Sequence, residues 1–463
     1  MLYSPPSSQS QGSAGLDQDV ADSVRMVQVR SSVSSQKFSD RPLDYDMVIV
    51  GGGIVGLTLA AALKDSGLRL ALVEARPKEL GLQRHRAYAV TLLSGRIFAG
   101  LGIWKRILPD VTTFKTIRLA DADCNAAVDL HPSDLGTDEL GYVAEHSVLV
   151  RELYALLEQS SHVTWFCPAQ MNHVCYDSDG ADIILEQRTS STQTREESEA
   201  DPSTSTQTLH LRSRLVIAAD GSQSPLRQEA GIRTHGWPYW QSCVTAVIRP
   251  ERSHENIARE HFWPSGPFAT LPLTDNRCQI VLTAPHAEAQ RLLNVNKDDF
   301  LEELNRRYGH QLGRLEMEGD RFLFPVKFMH SSAYVRPHLA LVGDAAHSCH
   351  PVGGQGLNLG IRDAASLAQV IQEAARRGED IGSLDVLKRY ERWRKRENWL
   401  VLGFTDVLDR AFSNTWAVVT PLRRLSLRMM RQFSAIKYWA LRFMTGLTGR
   451  SPDISKHPYN SEL

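Results

Sequence analysis

The sequence predicts an α/β protein in which a doubly wound domain is joined to a smaller domain built on an antiparallel sheet. A short apolar run at 47–50 leads through three glycines into a helix and then into a second apolar run, as in a parallel βαβ unit. The stretch 237–285 instead alternates apolar and polar residues between turns, as antiparallel strands do. The 463 residues exceed the ~250–300 that one core supports, so two domains are expected.

The first strand and helix enclose a G-x-G-x-x-G motif. Gly51 allows a tight turn, Gly53 lets the backbone approach a pyrophosphate, and Gly56 lets the helix pack closely on the strand. The N-terminus of this helix directs N–H groups and a positive dipole towards the phosphates. Glu74 ends the second strand 21 positions after Gly53, where an acid can accept a hydrogen bond from a ribose hydroxyl. Together these features predict a dinucleotide site, and the motif alone leaves NAD and FAD as alternatives.

Composition excludes several classes of protein. The net charge of −1 argues against bulk nucleic-acid binding, and no apolar run reaches the ~18 residues of a membrane-spanning helix. The six cysteines have no metal-ligand spacing, so no metal is expected and the thiols are interpreted as buried and reduced, in a cytoplasmic protein. The Ser- and Gln-rich residues 1–42 predict a disordered tail, and the acids at 17, 19 and 22 argue against a transit peptide.

Local periodicity predicts the remaining elements. Helices are expected near 95–101, 147–159, 298–308 and 357–377, and from 384 to about 446. Strands are expected within 116–129, 164–219, 237–285 and 339–342, and those within 164–219 are expected to be antiparallel. Gly309 is placed to end one helix, and the Ser/Thr-rich stretch 189–206 is expected to form a mobile hairpin tip.

A second informative stretch, 341–360, reads as strand, loop and helix. Gly343 and Asp344 end the strand, placing an acid where it can bind sugar hydroxyls. A loop rich in Pro and Gly follows, and a helix emerges from Gly353, Gly354 and Gly356. Such a helix N-terminus stabilises negative charge on a bound group. A purely structural strand, loop and helix with solvent-exposed histidines is the alternative.

These motifs resemble a known family. The G-x-G-x-x-G, the Ala-Asp-Gly-Ser run at 219–222 and Gly343-Asp344 with its His-Pro-x-Gly-Gly-Gln-Gly-Leu-Asn loop are similar to flavoprotein aromatic hydroxylases of the p-hydroxybenzoate hydroxylase type. Within that group the chain looks most like the ubiquinone-biosynthesis monooxygenases, through 86–94 and the Gly-Pro-Phe-Ala-Thr-Leu-Pro-Leu segment at 266–273. The resemblance covers roughly residues 44–449. Relatives often carry a Trp after that segment, where this chain has Val281 and Leu282. Because of this difference, the resemblance does not identify the substrate.

The resemblance implies a doubly wound FAD-binding domain with an antiparallel-sheet substrate domain. Residues 43–115, 147–230 and 326–380 would form the FAD-binding domain, and 116–146 and 231–325 the substrate domain, with C-terminal helices at 381–449 and a tail at 450–463. The residues implied to hold FAD are Gly51, Gly53, Gly56, Glu74, Arg86, Arg151, Asp220, Gly221, Gly343, Asp344, Pro351, Gly353, Gly354, Gly356, Leu357 and Asn358. Asp220 and Gly221 would also serve passing NAD(P)H.

The implied activity is that of an FAD-dependent monooxygenase. NAD(P)H would reduce the flavin, O2 would supply one oxygen atom, and a phenolic ring, such as that of a prenylated quinone precursor, would accept it. Two alternatives stay open: a different outcome on the same scaffold, such as epoxidation or halogenation, and a non-catalytic flavin-bound subunit of a quinone-biosynthesis complex. The halogenase alternative is weakened because Trp237, Tyr239 and Trp240 do not form a W-x-W-x-I-P motif.

Two features carry weaker hypotheses. His350 and Pro351, at the start of the loop expected to border the flavin, are candidate catalytic residues, although a histidine simply hydrogen-bonded into a loop is an equally good interpretation. Trp237, Tyr239 and Trp240 are interpreted as core rather than as a substrate pocket.

The segment from 400 to 463 carries nine Lys/Arg against four Asp/Glu, a difference of +5, interleaved with apolar residues. Helices packed on the FAD-binding domain and a basic amphipathic surface at a membrane are both compatible with it.

Overall fold

The structure is a computed structural model that describes residues 41–83, 86–121, 127–189, 205–413 and 419–456. The strands among these residues form three sheets. The predicted N-terminal tail, almost all of the Ser/Thr-rich hairpin tip and Cys124 therefore lie outside the described residues. The strands are β1 (Tyr45–Val50), β2 (Leu70–Val73), β3 (Ala87–Thr91), β4 (Thr112–Phe114), β5 (Thr116–Asp121), β6 (Ala127–Leu130), β7 (Gly141–Glu145), β8 (Val163–Phe166), β9 (Ala169–Tyr176), β10 (Ala181–Thr189), β11 (Ser205–Ala218), β12 (Thr234–Pro250), β13 (Ile257–Trp263), β14 (Gly266–Pro272), β15 (Cys278–Pro285), β16 (Leu315–Ser331), β17 (Val335–Arg336), β18 (Leu339–Leu341) and β19 (His347–Ser348).

The helices of the described chain are mostly amphipathic and cover the sheets. They are α1 (Ile54–Leu63), α2 (Lys78–Leu82), α3 (Leu92–Gly100), α4 (Trp104–Ile107), α5 (His146–Glu158), α6 (Pro225–Glu229), α7 (His286–Asn294), α8 (Lys297–Tyr308), α9 (Gln355–Arg376), α10 (Leu384–Phe412), α11 (Val419–Gln432) and α12 (Ser434–Met444). Short 3-10 turns occupy Leu108–Asp110, Pro132–Asp134, Gly343–Ala345, Val352–Gly354 and Asp453–Lys456.

The first sheet has the strand order β17-β18-β11-β1-β2-β8, with β9 and β10 attached through β11. Strand β1 is central and parallel to both neighbours, with Val48 opposite Val216 on β11 and Ala71 on β2. Its residues 47–50 are buried because helices α1, α5 and α9 share their hydrophobic core. The predicted parallel βαβ unit is therefore present, and β8 joins it parallel to β2, although antiparallel strands were expected there.

The second sheet has the order β19-β16-β12-β15-β14-β13-β5-β6 and is antiparallel except between β5 and β13. A third, smaller sheet has the order β3-β7-β4. Sequence reasoning missed β16 and α7, and β16 runs through residue 326, where the predicted domain boundary falls. Residues 43–463 form one compact unit, so the division into two domains stays a prediction.

The C-terminal region is helical, as expected from the sequence, and its described residues form three helices. Helix α10 ends at Phe412, and α11 and α12 meet at Phe433, whose extended backbone caps the second of them. The prediction that Trp237, Tyr239 and Trp240 belong to the core is wrong for two of the three residues. Trp237 and Trp240 are 40% and 49% exposed, whereas Tyr239 is buried and donates a hydrogen bond to Asp406.

The cysteines only partly match the expectation. Those described are free thiols, as expected, but Cys175 is exposed, while Cys243 and Cys278 are buried.

Candidate functional site

One large cavity, of about 1150 Å³, joins the glycine motifs to the second sheet. Its lining includes residues from the ends of β1, β2 and β11, the whole of β3, the inner face of β13 to β15, and helices α10 to α12. Twelve of the sixteen residues expected to hold FAD line it: Gly51, Gly53, Glu74, Arg86, Asp220, Gly221, Asp344, Pro351, Gly353, Gly354, Gly356 and Leu357.

The three glycines of the first motif are required for different reasons. A Cβ on Gly51 would lie 2.2 Å from the carbonyl oxygen of Ala219, and one on Gly56 would lie 2.0 Å from that of Gly51. Both glycines are therefore fixed by the turn and by packing of the helix on the strand. A Cβ on Gly53 would meet no atom within 4 Å, although Gly53 lines the cavity. The open space at Gly53 suits close approach of a pyrophosphate to the backbone.

Glu74 is held rigidly at the end of β2. Its Oε2 accepts a hydrogen bond of 2.7 Å from the backbone N–H of Gly52, and its Oε1 accepts one of 2.9 Å from that of Arg76. Each carboxylate oxygen has further lone pairs, so the residue can still accept from ribose hydroxyls.

The second motif surrounds the other part of the cavity. Gly353 and Gly354 have φ angles of +69° and +61°, which favour glycine, and they turn the chain into α9. Asn358 does not line the cavity but holds this turn, because its Nδ2 donates to the carbonyls of Ala89 (2.8 Å) and Gly354 (2.7 Å). Its Oδ1 accepts from the backbone N–H of Thr91. The flavin loop, defined as residues 351–358, is thereby fastened to β3.

Two acids in the cavity carry polar atoms that a bound group could satisfy. Asp220 Oδ1 is buried and has no hydrogen-bond partner among the described residues, and burial raises the pKa of this carboxyl. Asp344 is exposed to the cavity, and its partial removal from bulk solvent there raises the pKa of its carboxyl, against the opposing charges of His347, Arg86 and Lys327. Cofactor hydroxyls are suitable donors for both.

Four of the expected cofactor residues lie outside the cavity lining. Three of them, Gly56, Gly343 and Asn358, pack against the residues that line the cavity. A Cβ on Gly343, for example, would lie 3.2 Å from the side chain of Val55. Arg151 is different, because its guanidinium pairs with Asp110 and Glu152. The geometry therefore does not support its expected position along the cofactor.

The two histidines near the flavin loop are buried, contrary to the alternative in which they face solvent. His347 Nε2 lies 2.6 Å from Asp363, which also pairs with Arg394 at 2.8 Å, so this histidine belongs to an internal ionic network. His350 Nδ1 accepts a hydrogen bond from the backbone N–H of Val352.

The position of His350 favours a loop anchor over a proton handler. Burial lowers the pKa of His350 to about 3, and its Nε2 lies 3.4 Å from Asp409. A neutral imidazole that orders the loop fits this geometry, whereas Pro351 itself lines the cavity.

The remaining wall of the cavity is apolar and comes from the second sheet and the C-terminal helices. Its members include Leu119, Ala258, Phe262, Ala269, Leu271, Val281, Leu408, Phe412, Leu427 and Met430. The Gly-Pro-Phe-Ala-Thr-Leu-Pro-Leu segment forms β14, where Leu271 faces the cavity. Phe268 faces the opposite core, with its ring 5.0 Å from that of Tyr308. One acid, Glu260, interrupts this wall and was not identified from the sequence.

Comparison with known proteins decides the family. The family described as "FAD binding domain" matches residues 44–405, most of the chain. This chain belongs to that family. The FAD-binding assignment agrees with the cavity, where the open backbone at Gly53 and the unsatisfied Asp220 Oδ1 fit a dinucleotide cofactor.

Curated relatives of this FAD-binding chain include named hydroxylases. Ubiquinone hydroxylase UbiL of Rhodospirillum rubrum is 34% identical, with 88% of this chain and 91% of the relative covered. The 3-demethoxyubiquinol 3-hydroxylase of Escherichia coli is 32% identical over 87% of this chain and 98% of its own length. The crystal structure of p-nitrophenol 4-monooxygenase PnpA from Pseudomonas putida shares the fold, with a TM-score of 0.72 at 18% identity, covering 89% of this chain and all of that one.

The protein is accordingly an FAD-dependent monooxygenase of the aromatic hydroxylase type, in the ubiquinone-biosynthesis hydroxylase family. When bound, FAD supplies the redox chemistry that activates O2. The chain would supply the remaining functions: the two glycine motifs and Glu74 would bind the cofactor, the flavin loop would orient it, and the apolar wall would exclude water from it.

Proposed function

We propose that this monooxygenase hydroxylates the phenolic ring of a prenylated quinone precursor. The main support for this proposal is that the cavity is continuous. It runs from the residues expected to hold FAD to an apolar wall on β13 to β15 and α10 to α12. A hydrophobic ring with a hydrocarbon tail suits such a wall, because its burial is favourable by roughly 25 cal/mol per Å². The names of these two relatives, which refer to ubiquinone or demethoxyubiquinol, support the same substrate class.

NAD(P)H is the proposed reductant, and it visits without a stable site of its own. The sequence contains one complete G-x-G-x-x-G fingerprint, at Gly51 to Gly56, and the proposed cofactor FAD uses it. Gly353 to Gly356 have a different spacing. The nicotinamide would therefore reach the flavin from the cavity side, near Asp220 and Gly221.

The experiment that tests the function is NADPH oxidation by the FAD-loaded enzyme with and without a 2-polyprenylphenol, followed by mass analysis of the lipid. We expect the phenol to accelerate NADPH oxidation and to gain one hydroxyl group. An epoxide or halogenated product would assign a different flavin chemistry. Absence of any phenol-dependent oxidation would favour the non-catalytic subunit.

We further propose that the C-terminal helices touch a membrane surface. In the part of the chain that the structure describes, none of the helices has both the length and the apolar character needed to cross a bilayer. Helices α10 to α12 do expose large apolar side chains to solvent: Trp399, Leu400, Phe404, Val407, Leu425, Met429, Phe433 and Trp439. Exposed arginines at 424, 428 and 431 accompany them.

The same helices line the cavity through their other faces, at Leu408, Leu427 and Met430. These helices can therefore pack on the rest of the protein through one face and contact lipid through the other. An apolar substrate could pass from the bilayer to the ring site between these helices.

Vesicle binding tests this surface. We expect sedimentation with anionic vesicles to weaken as salt rises, because exposed charges are screened over ~10 Å at 0.1 M. Replacing Phe433 and Trp439 with serine should lower binding. The matched control, Leu80→Ser, removes a side chain that is 50% exposed on a helix outside this surface and should leave binding unchanged. Equal sedimentation with neutral and anionic vesicles, unaffected by the double change, would contradict the proposal.

A further inference from the structure

Glu260 is the only acid that the described residues of the second sheet contribute to the cavity lining. It lies in the middle of β13, opposite Leu119 on β5 and Ala269 on β14, which both line the cavity. Side chains alternate along a strand, so Ala258 and Phe262 share its face. A carboxyl group thus projects from an otherwise apolar surface.

This carboxyl group lacks the partners that a buried acid normally has. Its Oε1 is buried without a hydrogen-bond partner among the described residues, and no ion pair of Glu260 is found there. The backbone N–H of Gly353, in the flavin loop, is the one group that stabilises its charged form. Leaving a buried acceptor unsatisfied costs free energy, so a ligand that supplies a donor at this position is expected.

Among the described residues, the ionisable groups of β5 and β13 form no ion pair with Glu260. Arg118 on β5 pairs with Asp129 at 2.7 Å, and the Arg259 guanidinium donates to the carbonyls of His254 and Ile257. His261 stacks on Phe268 on the opposite face of the sheet.

Two more ionisable groups lie on other elements of the site. His350, which precedes the flavin loop, contacts Asp409 rather than Glu260. Cys243 on β12 is influenced by the charge of Glu260 and is a neutral thiol, because burial raises its pKa to about 12.

We propose that Glu260 binds the ring hydroxyl of the substrate and removes its proton, an inference that rests on the proposed function. In this step the phenolic O–H bond breaks and an O–H bond forms on Glu260. The electron pair stays on the ring oxygen. The resulting phenolate is more electron-rich than the phenol and is therefore a better acceptor of an electrophilic oxygen atom. After oxygen transfer, Glu260 returns the proton to the ring oxygen of the product and is again a carboxylate.

Burial gives this carboxyl a suitable acidity. It raises the pKa of Glu260 to about 8, and the Gly353 N–H only partly opposes the shift. A base with a pKa near the working pH can take a proton and return it, whereas an ordinary carboxylate is a much weaker base. Neutral Glu260 would instead donate a hydrogen bond to the ring oxygen.

The test compares Glu260→Gln and Glu260→Leu with the parent FAD-loaded enzyme. Binding of a 2-polyprenylphenol is measured from pH 6 to 9 by the change in flavin fluorescence, and kcat is measured by NADPH oxidation. We expect kcat of the parent to rise near pH 8, where Glu260 loses its proton and becomes a base. Gln should bind the phenol within about threefold of the parent, lower kcat by ~100-fold or more and abolish this rise. Leu should also lose ~10-fold or more in affinity. Glu316→Gln changes an exposed acid on the same sheet and is the matched control.

Thermal unfolding supplies a readout that is independent of activity. A carboxyl whose pKa is raised on folding contributes stability that is fully present below pH ~4.5 and is lost as the pH rises through about 8. Gln cannot ionise, so the Tm of Glu260→Gln should exceed that of the parent at pH 9 and approach it at pH 5.

The experiment distinguishes a failure of the Glu260 proposal from a failure of the proposed function. Unchanged phenol affinity, kcat and pH profile in both variants would overturn the role of Glu260 and leave the proposed function standing. Failure of the parent enzyme to bind the phenol would overturn the proposed function together with this inference.

Discussion

Replacing Gly53 with valine is expected to yield a folded but colourless protein. The Cβ position of Gly53 has no atom within 4 Å, so the side chain can be accommodated without disturbing the strand or helix. It would instead occupy the part of the cavity where the pyrophosphate must approach the backbone. We expect FAD affinity to fall by ~100-fold or more, which corresponds to about 2.8 kcal/mol. Flavin absorbance per mole of purified protein measures the loss.

Two other glycines serve as controls for this experiment. Gly403 on α10 also has open space around its Cβ position, so Gly403→Ala should keep full FAD content and a Tm at or above that of the parent. Gly56→Ala should lower the Tm sharply, because its Cβ would lie 2.0 Å from the carbonyl oxygen of Gly51. Full flavin occupancy in folded Gly53→Val would show that the motif serves only as a turn.

The FAD-binding half of the site could be predicted because its signals are local. In the G-x-G-x-x-G motif, the turn and the helix start are set by neighbouring residues, and Glu74 follows from the spacing of one βαβ unit. The loop after Asp344 is likewise recognisable from its own glycines. Arg151 was placed along the cofactor by family resemblance alone, and its ion pairs with Asp110 and Glu152 depend on segments distant in sequence.

The substrate half could not be predicted, since it depends on tertiary contacts. Glu260 looks like an ordinary polar residue in an alternating strand, and only its neighbours on β5 and β14 make it a cavity residue. The long strand β16 was missed because its first half is rich in charged and polar side chains. Trp237 and Trp240 were assigned to the core from residue type, yet their strand leaves both partly exposed.

Leu271→Ala and Phe268→Ala are expected to fail in different ways, although both lie on β14. Leu271 faces the cavity, so its truncation should admit water next to the ring site and raise hydrogen peroxide released per NADPH oxidised several-fold. Phe268 is fully buried against Tyr308 on the other face of the sheet. Its truncation should lower the free energy of unfolding by ~3–5 kcal/mol. In the Phe268→Ala protein that remains folded, NADPH oxidation should stay coupled to hydroxylation.

Each variant of this pair is the control for the other. Peroxide yield and hydroxylated product are measured together with chemical denaturation, so a loss of coupling is distinguished from a loss of folded protein. If Leu271→Ala stays fully coupled with the parent ratio of product to NADPH, β14 does not form the wall of the reaction chamber. Equal peroxide yields in the two variants would contradict the assignment of their faces.

Oxygen-isotope labelling tests the central claim most directly. The FAD-loaded enzyme is supplied with NADPH, a 2-polyprenylphenol and ¹⁸O2, and the lipid is analysed by mass spectrometry. An FAD-dependent ring hydroxylase should transfer one labelled atom to each product molecule, with NADPH consumed in equal amount. Product labelled from water, or NADPH oxidation that yields only hydrogen peroxide in the parent enzyme, would contradict the proposed function.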